Sequence, residues 1–266
     1  MPRIAWLTDL HLDFLSPDEA RSFLDRVRAQ QVDAVVISGD MSEARDLDHD
    51  LRSIAKRLEL PIYFVLGNHD FYYGSIREVR KLAQAACAET PNLHYLTTGG
   101  VVELSPRLGM VGHDGWADGR LGDYETSFVM MNDYKLIAEL ACYNKEERWP
   151  VLHALGDEAA AHIRKFLPLA LEKYPEVLLV THVPPLREAC WHEGQLSDDE
   201  WLPHFACRAM GVAILDVMRR FPQRKLTVVC GHTHSGGECR PRDNITIYTG
   251  GAKYGQPEVQ RVFEWA

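Results

Sequence analysis

Residues 64–74 read FVLGNHDFYYG. Three apolar residues run into a glycine, and Asn68, His69 and Asp70 follow without a break. An amide, an imidazole and a carboxylate each cost free energy to bury unless they find partners. Placing all three at the end of a core strand makes physical sense where a rigid element presents chemistry at its tip.

The same form recurs along the chain. Apolar runs of strand length end in polar clusters at RIAWLTDLH (3–11), DAVVISGD (33–40), EVLLVTHVPP (176–185) and KLTVVCGHTH (225–234). Apolar on successive residues, they read as central strands covered on both faces. Helical stretches fall between them near 17–30, 46–59, 75–88, 154–173 and 208–220, with Pro17 suited to a first turn. Strand–helix alternation with short links predicts an α/β protein. Residues 93–116 are interrupted by Gly and Pro and predict hairpins. The C-terminal stretch from Asn244 predicts two more strands around a glycine-rich turn.

Composition narrows the function classes. Of 266 residues, 46% are hydrophobic and 25% charged, the balance of a soluble globular protein with a sizeable core. The net charge is −9 and no long basic run exists, which argues against a nucleic-acid partner. No run is long enough to span a bilayer or to form a signal-peptide core. Six cysteines, Cys87, Cys142, Cys190, Cys207, Cys230 and Cys239, form no CxxC pair. The expectation is a reduced, cytoplasmic protein, its oligomeric state open.

The strand ends then align. They carry Asp9 and His11, Asp40, the Asn68-His69-Asp70 run, His182, and His232 and His234, and glycine precedes three of these endings. Each alone is unremarkable, since a lone histidine at a strand end is more often structural. Five endings in order, at the same end of successive strands, point to one site beyond the carboxyl ends. The i, i+2 spacing of Asp9/His11 and His232/His234 would put each pair on one side of an extended segment.

The ordered set Asp9-x-His11, Gly39-Asp40, Gly67-Asn68-His69-Asp70, His182-x-Pro184-Pro185 and Gly231-His232-x-His234 resembles the calcineurin-like metallophosphoesterase superfamily. The resemblance covers most of the chain. It implies a four-layer αββα sandwich, two mixed β-sheets flanked by helices, in a single domain over 1–266. It assigns one metal ion to Asp9, His11 and His234 and a second to Asn68, His182 and His232, with Asp40 bridging. The implied cofactors are two divalent or trivalent transition-metal ions, Mn or Fe first and Zn, Ni or Co as alternatives. Oxygen and imidazole donors without thiolate suit that range. Two cations outweigh Asp9 and Asp40, so an acidic chain can still present a phosphate-seeking site. The resemblance further implies attack by a metal-bridging hydroxide, His69 as proton donor to the leaving group, and Asp70 as the residue orienting His69.

The second motif departs from the phosphoprotein phosphatases of that superfamily. Glu43 and Ala44 stand where an Asp-Arg pair is expected, and Arg45 comes one step late. The chain therefore looks more like the small bacterial branch. A small phosphorylated substrate is expected, with a phosphodiester favoured because no arginine clamp for a dianion lies near the motifs. The alternative is a phosphomonoesterase acting on a nucleotide, sugar phosphate or phosphoprotein. A non-catalytic scaffold is disfavoured, since every ligand and His69 are present. Residues 113–149 break the strand–helix rhythm and predict a cap or insert, its aromatic side chains serving either substrate or packing. His113 and Asp114 are further candidates for the site. So are Arg187, Trp191 and His192 in a second long loop, where a Cys190/His192/Cys207 zinc cluster matches no structural zinc spacing.

Overall fold

Each apolar run becomes a strand whose two faces are buried in different cores. The computed structural model describes residues 2–141 and 144–265, so Cys142 lies outside the described residues. In chain order come β1 (Arg3–Leu7), α1 (Pro17–Arg28), β2 (Ala34–Ser38), α2 (Leu47–Leu58), β3 (Ile62–Val65), α3 (Ile76–Glu89) and β4 (Leu93–Tyr95). A hairpin of β5 (Val102–Ser105) and β6 (Leu108–Gly112) follows. After it come the single-turn helices α4 (Asp133–Leu136) and α5 (Ala138–Ala141) and the long α6 (Lys145–Lys173). Next are β7 (Glu176–Val180), the ribbon of β8 (Trp191–His192) and β9 (Gln195–Leu196), α7 (Leu202–Phe205) and α8 (Arg208–Arg219). The last strands are β10 (Lys225–Cys230), β11 (Gly237–Arg242), β12 (Ile245–Thr249) and β13 (Arg261–Glu264).

Two mixed sheets result. The first has the order β13-β1-β2-β3-β4, parallel except for β13. The second has the order β11-β12-β10-β7-β6-β5, with a parallel centre and antiparallel edges. Pleating divides each strand between two cores. Ile4 and Trp6 of β1 enter a layer shared with Leu178 and Val180 of β7, while Ala5 and Leu7 face α1–α3. Val177 and Leu179 turn the other way, toward α6 and α8. Helix, sheet, sheet, helix is the four-layer architecture expected from the motifs.

The helices begin where the sequence caps them. Ser16 and Glu19 form a capping box ahead of Pro17, and α1 then buries Phe23, Leu24 and Val27. Three expectations change. α6 starts at Lys145 rather than near 154, because Asn144 and Glu147 form a second capping box and the helix runs on through Pro150. Pro168 also lies inside it, and the two missing amide donors do not outweigh the buried contacts of a 29-residue helix. β4 pairs parallel with β3 instead of forming a hairpin. The two C-terminal strands also separate, β12 joining the second sheet and β13 the first, so the glycine-rich turn between them links the sheets.

Candidate metal centre

The motifs converge where β1, β2, β3, β7 and β10 end. The pleat is not what aligns them. Asp9, His11, Asp40, His232 and His234 all lie past their strands with positive φ, five of the nine such non-glycine residues described. Left-handed backbone costs an L-residue roughly 1–2 kcal/mol, so its clustering here marks a functional site. The i, i+2 pairs therefore converge through left-handed turns and not along an extended segment. The glycines before them allow close approach. A Cβ on Gly67 would strike the Asp40 carboxylate, and one on Gly231 would strike Asp9.

Two sets of donor atoms form. Asp9, His11, Asp40 and His234 each bring one ligand atom within 4.8 Å of the others. In this set the Nε2 atoms of His11 and His234 are 3.0 Å apart, and His234 Nε2 is 3.4 Å from Asp9 Oδ1. The second set surrounds Asn68 Oδ1, with His182 Nε2 at 3.0 Å and His232 Nδ1 at 2.9 Å. Both of those imidazoles give their other nitrogen to a backbone carbonyl, His182 Nδ1 to Ser38 and His232 Nε2 to His204. As neutral metal ligands, both rings would aim lone pairs at the space beside the Asn68 carbonyl oxygen, where a cation could be held.

Asp40 stands between the sets. Its Oδ1 accepts from the His69 backbone amide at 2.8 Å. Its Oδ2 is buried with no hydrogen-bond partner among the described residues, 3.4 Å from His182 Nε2 and 3.8 Å from His11 Nε2. Buried and unpartnered, that oxygen lacks what a shared ion would provide. The electrostatics agree. Burial would raise the Asp40 carboxyl, yet His182 and His69 hold it well below the ordinary range. Burial would lower His182, yet Asp40 pushes it up to about 10. The pocket recruits positive charge. Burial takes His11 and His232 down to about 4, which leaves them neutral donors.

Two assignments move. Asp70 does not orient His69: its Oδ2 accepts from the amides of Asp40 and Gly67, its Oδ1 from those of Met41 and Ser42, all at 2.8–3.0 Å. Adjacent side chains diverge here, and the buried carboxylate staples the loop after β2 to the loop after β3. Among the described residues nothing hydrogen-bonds the His69 ring, which stands half-buried 4.5 Å from the His11 ring and 4.2 Å from Tyr72. His113 and Asp114 are likewise not ligands. Asp114 accepts from the Leu66 amide, Arg80, Tyr95 and Thr97, and His113 Nε2 faces Glu158 at 3.6 Å.

The remaining candidates pack. Trp116, Tyr124 and Tyr134 are core residues, while Phe128 and Met130 face solvent. Arg45 pairs with Glu43 and Asp46, and Arg187 with Asp199. His192 lies against Trp201 and Phe205. Cys190 donates to Ser197, and it belongs to no metal-holding group among the described residues.

The site also has members that motif reading missed. Asp133 and Tyr72 bond Asn68, and the His204 carbonyl bonds His232. Tyr254, half-exposed, lies 4.6 Å from both the His11 and Phe14 rings and 5.1 Å from His234. These residues stand outside any strand-end motif, so spacing could not reveal them.

A family model described as calcineurin-like phosphoesterase matches residues 2–236. A UDP-2,3-diacylglucosamine hydrolase of Azotobacter vinelandii is 38% identical over 81 residues, 26% of this chain and only a third (33%) of that relative's length. A solved phosphopantetheinyl hydrolase from Mycobacterium tuberculosis superposes with a TM-score of 0.64 at 16% identity, covering 94% of this chain and 89% of that one. A dimetal phosphatase from Danio rerio gives 0.56 at 15% identity, covering 94% and 88%. At such identities the two structures show the fold alone.

Proposed function

Because the chain belongs to the calcineurin-like phosphoesterase family, a family of metal-dependent phosphoester hydrolases, we propose that it hydrolyses a small phosphodiester at a two-ion centre. Asp9, His11 and His234 would hold one ion, Asn68, His182 and His232 the other, and Asp40 Oδ2 both. The observation that carries this reading is that unpartnered buried oxygen between two convergent donor sets. When bound, such ions acidify a water and neutralise charge on the phosphoryl oxygens. The donor set, carboxylate, amide and imidazole without thiolate, favours Mn or Fe and admits Zn, Ni or Co.

The chain's own residues supply the rest. His69, its ring nitrogens free of hydrogen bonds from the described residues, would give a proton to the departing alkoxide. Groups in that role contribute about 10²–10⁴-fold in rate. Its ring stays beside the centre because its backbone amide is tied to Asp40 Oδ1. A diester is favoured over a monoester because the charge near the centre is acidic. Burial, with the Glu43 charge nearby, raises the Asp13 carboxyl, and Arg45 is paired with Glu43 and Asp46. A monoester dianion would want a free cation there. We treat residues 1–266 as one domain in which 113–149 caps the site. We propose a cytoplasmic location, in keeping with the scattered cysteines of the sequence, and the five described cysteines are free. No helix among the described residues is long and apolar enough to cross a membrane.

The test is reconstitution. The protein is stripped with chelator, restored with Mn²⁺, Fe²⁺, Zn²⁺ or Ni²⁺ separately, and assayed on bis-p-nitrophenyl and p-nitrophenyl phosphate. Faster diester turnover with two ions bound per chain is expected. Preference for the monoester would reverse the substrate assignment, and full activity with one ion would end the two-ion reading.

A further inference from the structure

An asparagine amide has two ends of equal size and opposite polarity. Only one of them can face a cation. At Asn68, Oδ1 points at His182 and His232 while Nδ2 points the other way, at 2.8 Å from Asp133 Oδ1 and 3.2 Å from the Tyr72 hydroxyl. Tyr72 in turn donates to the same Asp133 oxygen at 2.8 Å. Both amide hydrogens are therefore used, and the hydroxyl closes a triangle. Turning the amide over would set its carbonyl lone pairs against a buried carboxylate and leave the Asp133–Tyr72 pair short of its donor.

Asp133 is nearly inaccessible at 5% exposure, and it belongs to the insert, far in sequence from every motif. The insert is registered against the segment that follows β3. The Tyr73 amide donates to Leu136, the Ala138 amide to Gly74, and Glu139 accepts from Ser75, Ile76 and Arg77 at the start of α3. Residues 133–139 thus run alongside 72–77 and bring one carboxylate back to Asn68. Among the described residues, the insert gives the donor set of Asp9, His11 and His234 no such hydrogen bond. Asp9 accepts from the Thr8 hydroxyl and the His232 amide, and His11 Nδ1 has no hydrogen-bond partner among the described residues.

We propose that Asp133 is a positioning residue for one metal site only: it locks the Asn68 amide with Oδ1 presented to the second ion, so the insert governs occupancy of that site and not of the first. The proposal rests on the two-ion reading above. A carboxylate accepting from the amide also strengthens Oδ1 as a donor, and outer partners of this kind change metal affinity by about 10–100-fold.

Mn²⁺ binding to the full chain tests it, read by calorimetry, by metal content and by the electron paramagnetic resonance of the bound Mn²⁺. Wild type should take two ions and give the spectrum of a coupled pair. Asp133→Ala should keep one ion at wild-type affinity, bind the second about 10–100-fold more weakly, and show an isolated ion. Asp133→Asn, whose side-chain oxygen still accepts from both donors, should recover most of the second site. If Asp133→Ala folds and binds both ions like wild type, or loses both equally, the positioning role is overturned. Tyr72→Phe repeats the measurement should Asp133→Ala not fold: selective weakening of the second ion supports the clasp, and unchanged binding of both overturns it. Fewer than two ions in wild type would instead defeat the two-ion reading on which the clasp depends.

Discussion

At the scale of single residues, adjacency in sequence says little about adjacency of function. His69 and Asp70 are neighbours, yet the His69 ring lies against His11 and Tyr72 while the Asp70 carboxylate faces four backbone amides. Asp70→Asn leaves two of those amides without an acceptor. It should lower stability by about 1–3 kcal/mol for each orphaned amide, read from urea unfolding. The pH dependence of its residual turnover should keep the wild-type limbs. An acid shift of a unit or more would return Asp70 to the role of orienting His69. His69→Ala makes the complementary case. It should retain both ions and lose about 10²–10⁴-fold on alkyl esters, with a smaller loss on p-nitrophenyl esters whose leaving group needs no proton. Equal losses on both would remove the proton-donor assignment.

At the scale of elements, the two long insertions hold each other and the centre. His204 on α7 is the latch. Ser127 donates to the Glu200 carbonyl, so its oxygen accepts from His204 Nε2, and Tyr134 donates to His204 Nδ1 at 2.6 Å. That pattern needs the neutral ring, and burial, with Lys145 and Arg148 nearby, pushes the imidazole down to about 4. Between its ordinary value of 6.5 and about 4, the unfolded chain binds a proton that the folded chain refuses. The stability that the latch contributes is therefore complete above pH 6.5 and declines as pH falls toward 4. With chelator present, urea midpoints at pH 7.5 and 5.0 should fall less for His204→Gln than for wild type. An equal fall would mean that His204 does not report the acid limb.

At the scale of the whole molecule, the centre is a seam. Asp9, His11, Asp40 and Asn68 come from the ends of the first sheet, and His182, His232 and His234 from the second. Ions binding there would join two sheets that otherwise meet through apolar contacts such as Trp6, Val36, Val180 and Val229. A ligand present at a hundred times its dissociation constant stabilises a fold by about 2.7 kcal/mol per site. For a chain of this size each kcal/mol moves the melting temperature by roughly 2–4 °C. With both sites filled, Mn²⁺ at a hundred times its dissociation constant should thus raise the melting temperature by roughly 10–20 °C, and Asp40→Ala should abolish the rise. A full rise in that variant would show that ions bind without the bridging carboxylate.

Sequence alone located the five central strands and the candidate ligands at their ends, because each rests on local pattern: apolar runs covered on both faces, the Ser16-Pro17 start of α1, and motifs that fall at strand ends. Tertiary structure decided what each polar atom touches. Whether Asp70 meets a ring or four amides depends on how the loops after β2 and β3 pack together. That Asp133 reaches Asn68 depends on an insert docking across a sequence gap of 65 residues. The paired strands at the C-terminus divided between two sheets for the same reason. Hydrogen bonds and burial act through space, and a linear pattern records only the contacts that the chain's own period brings together.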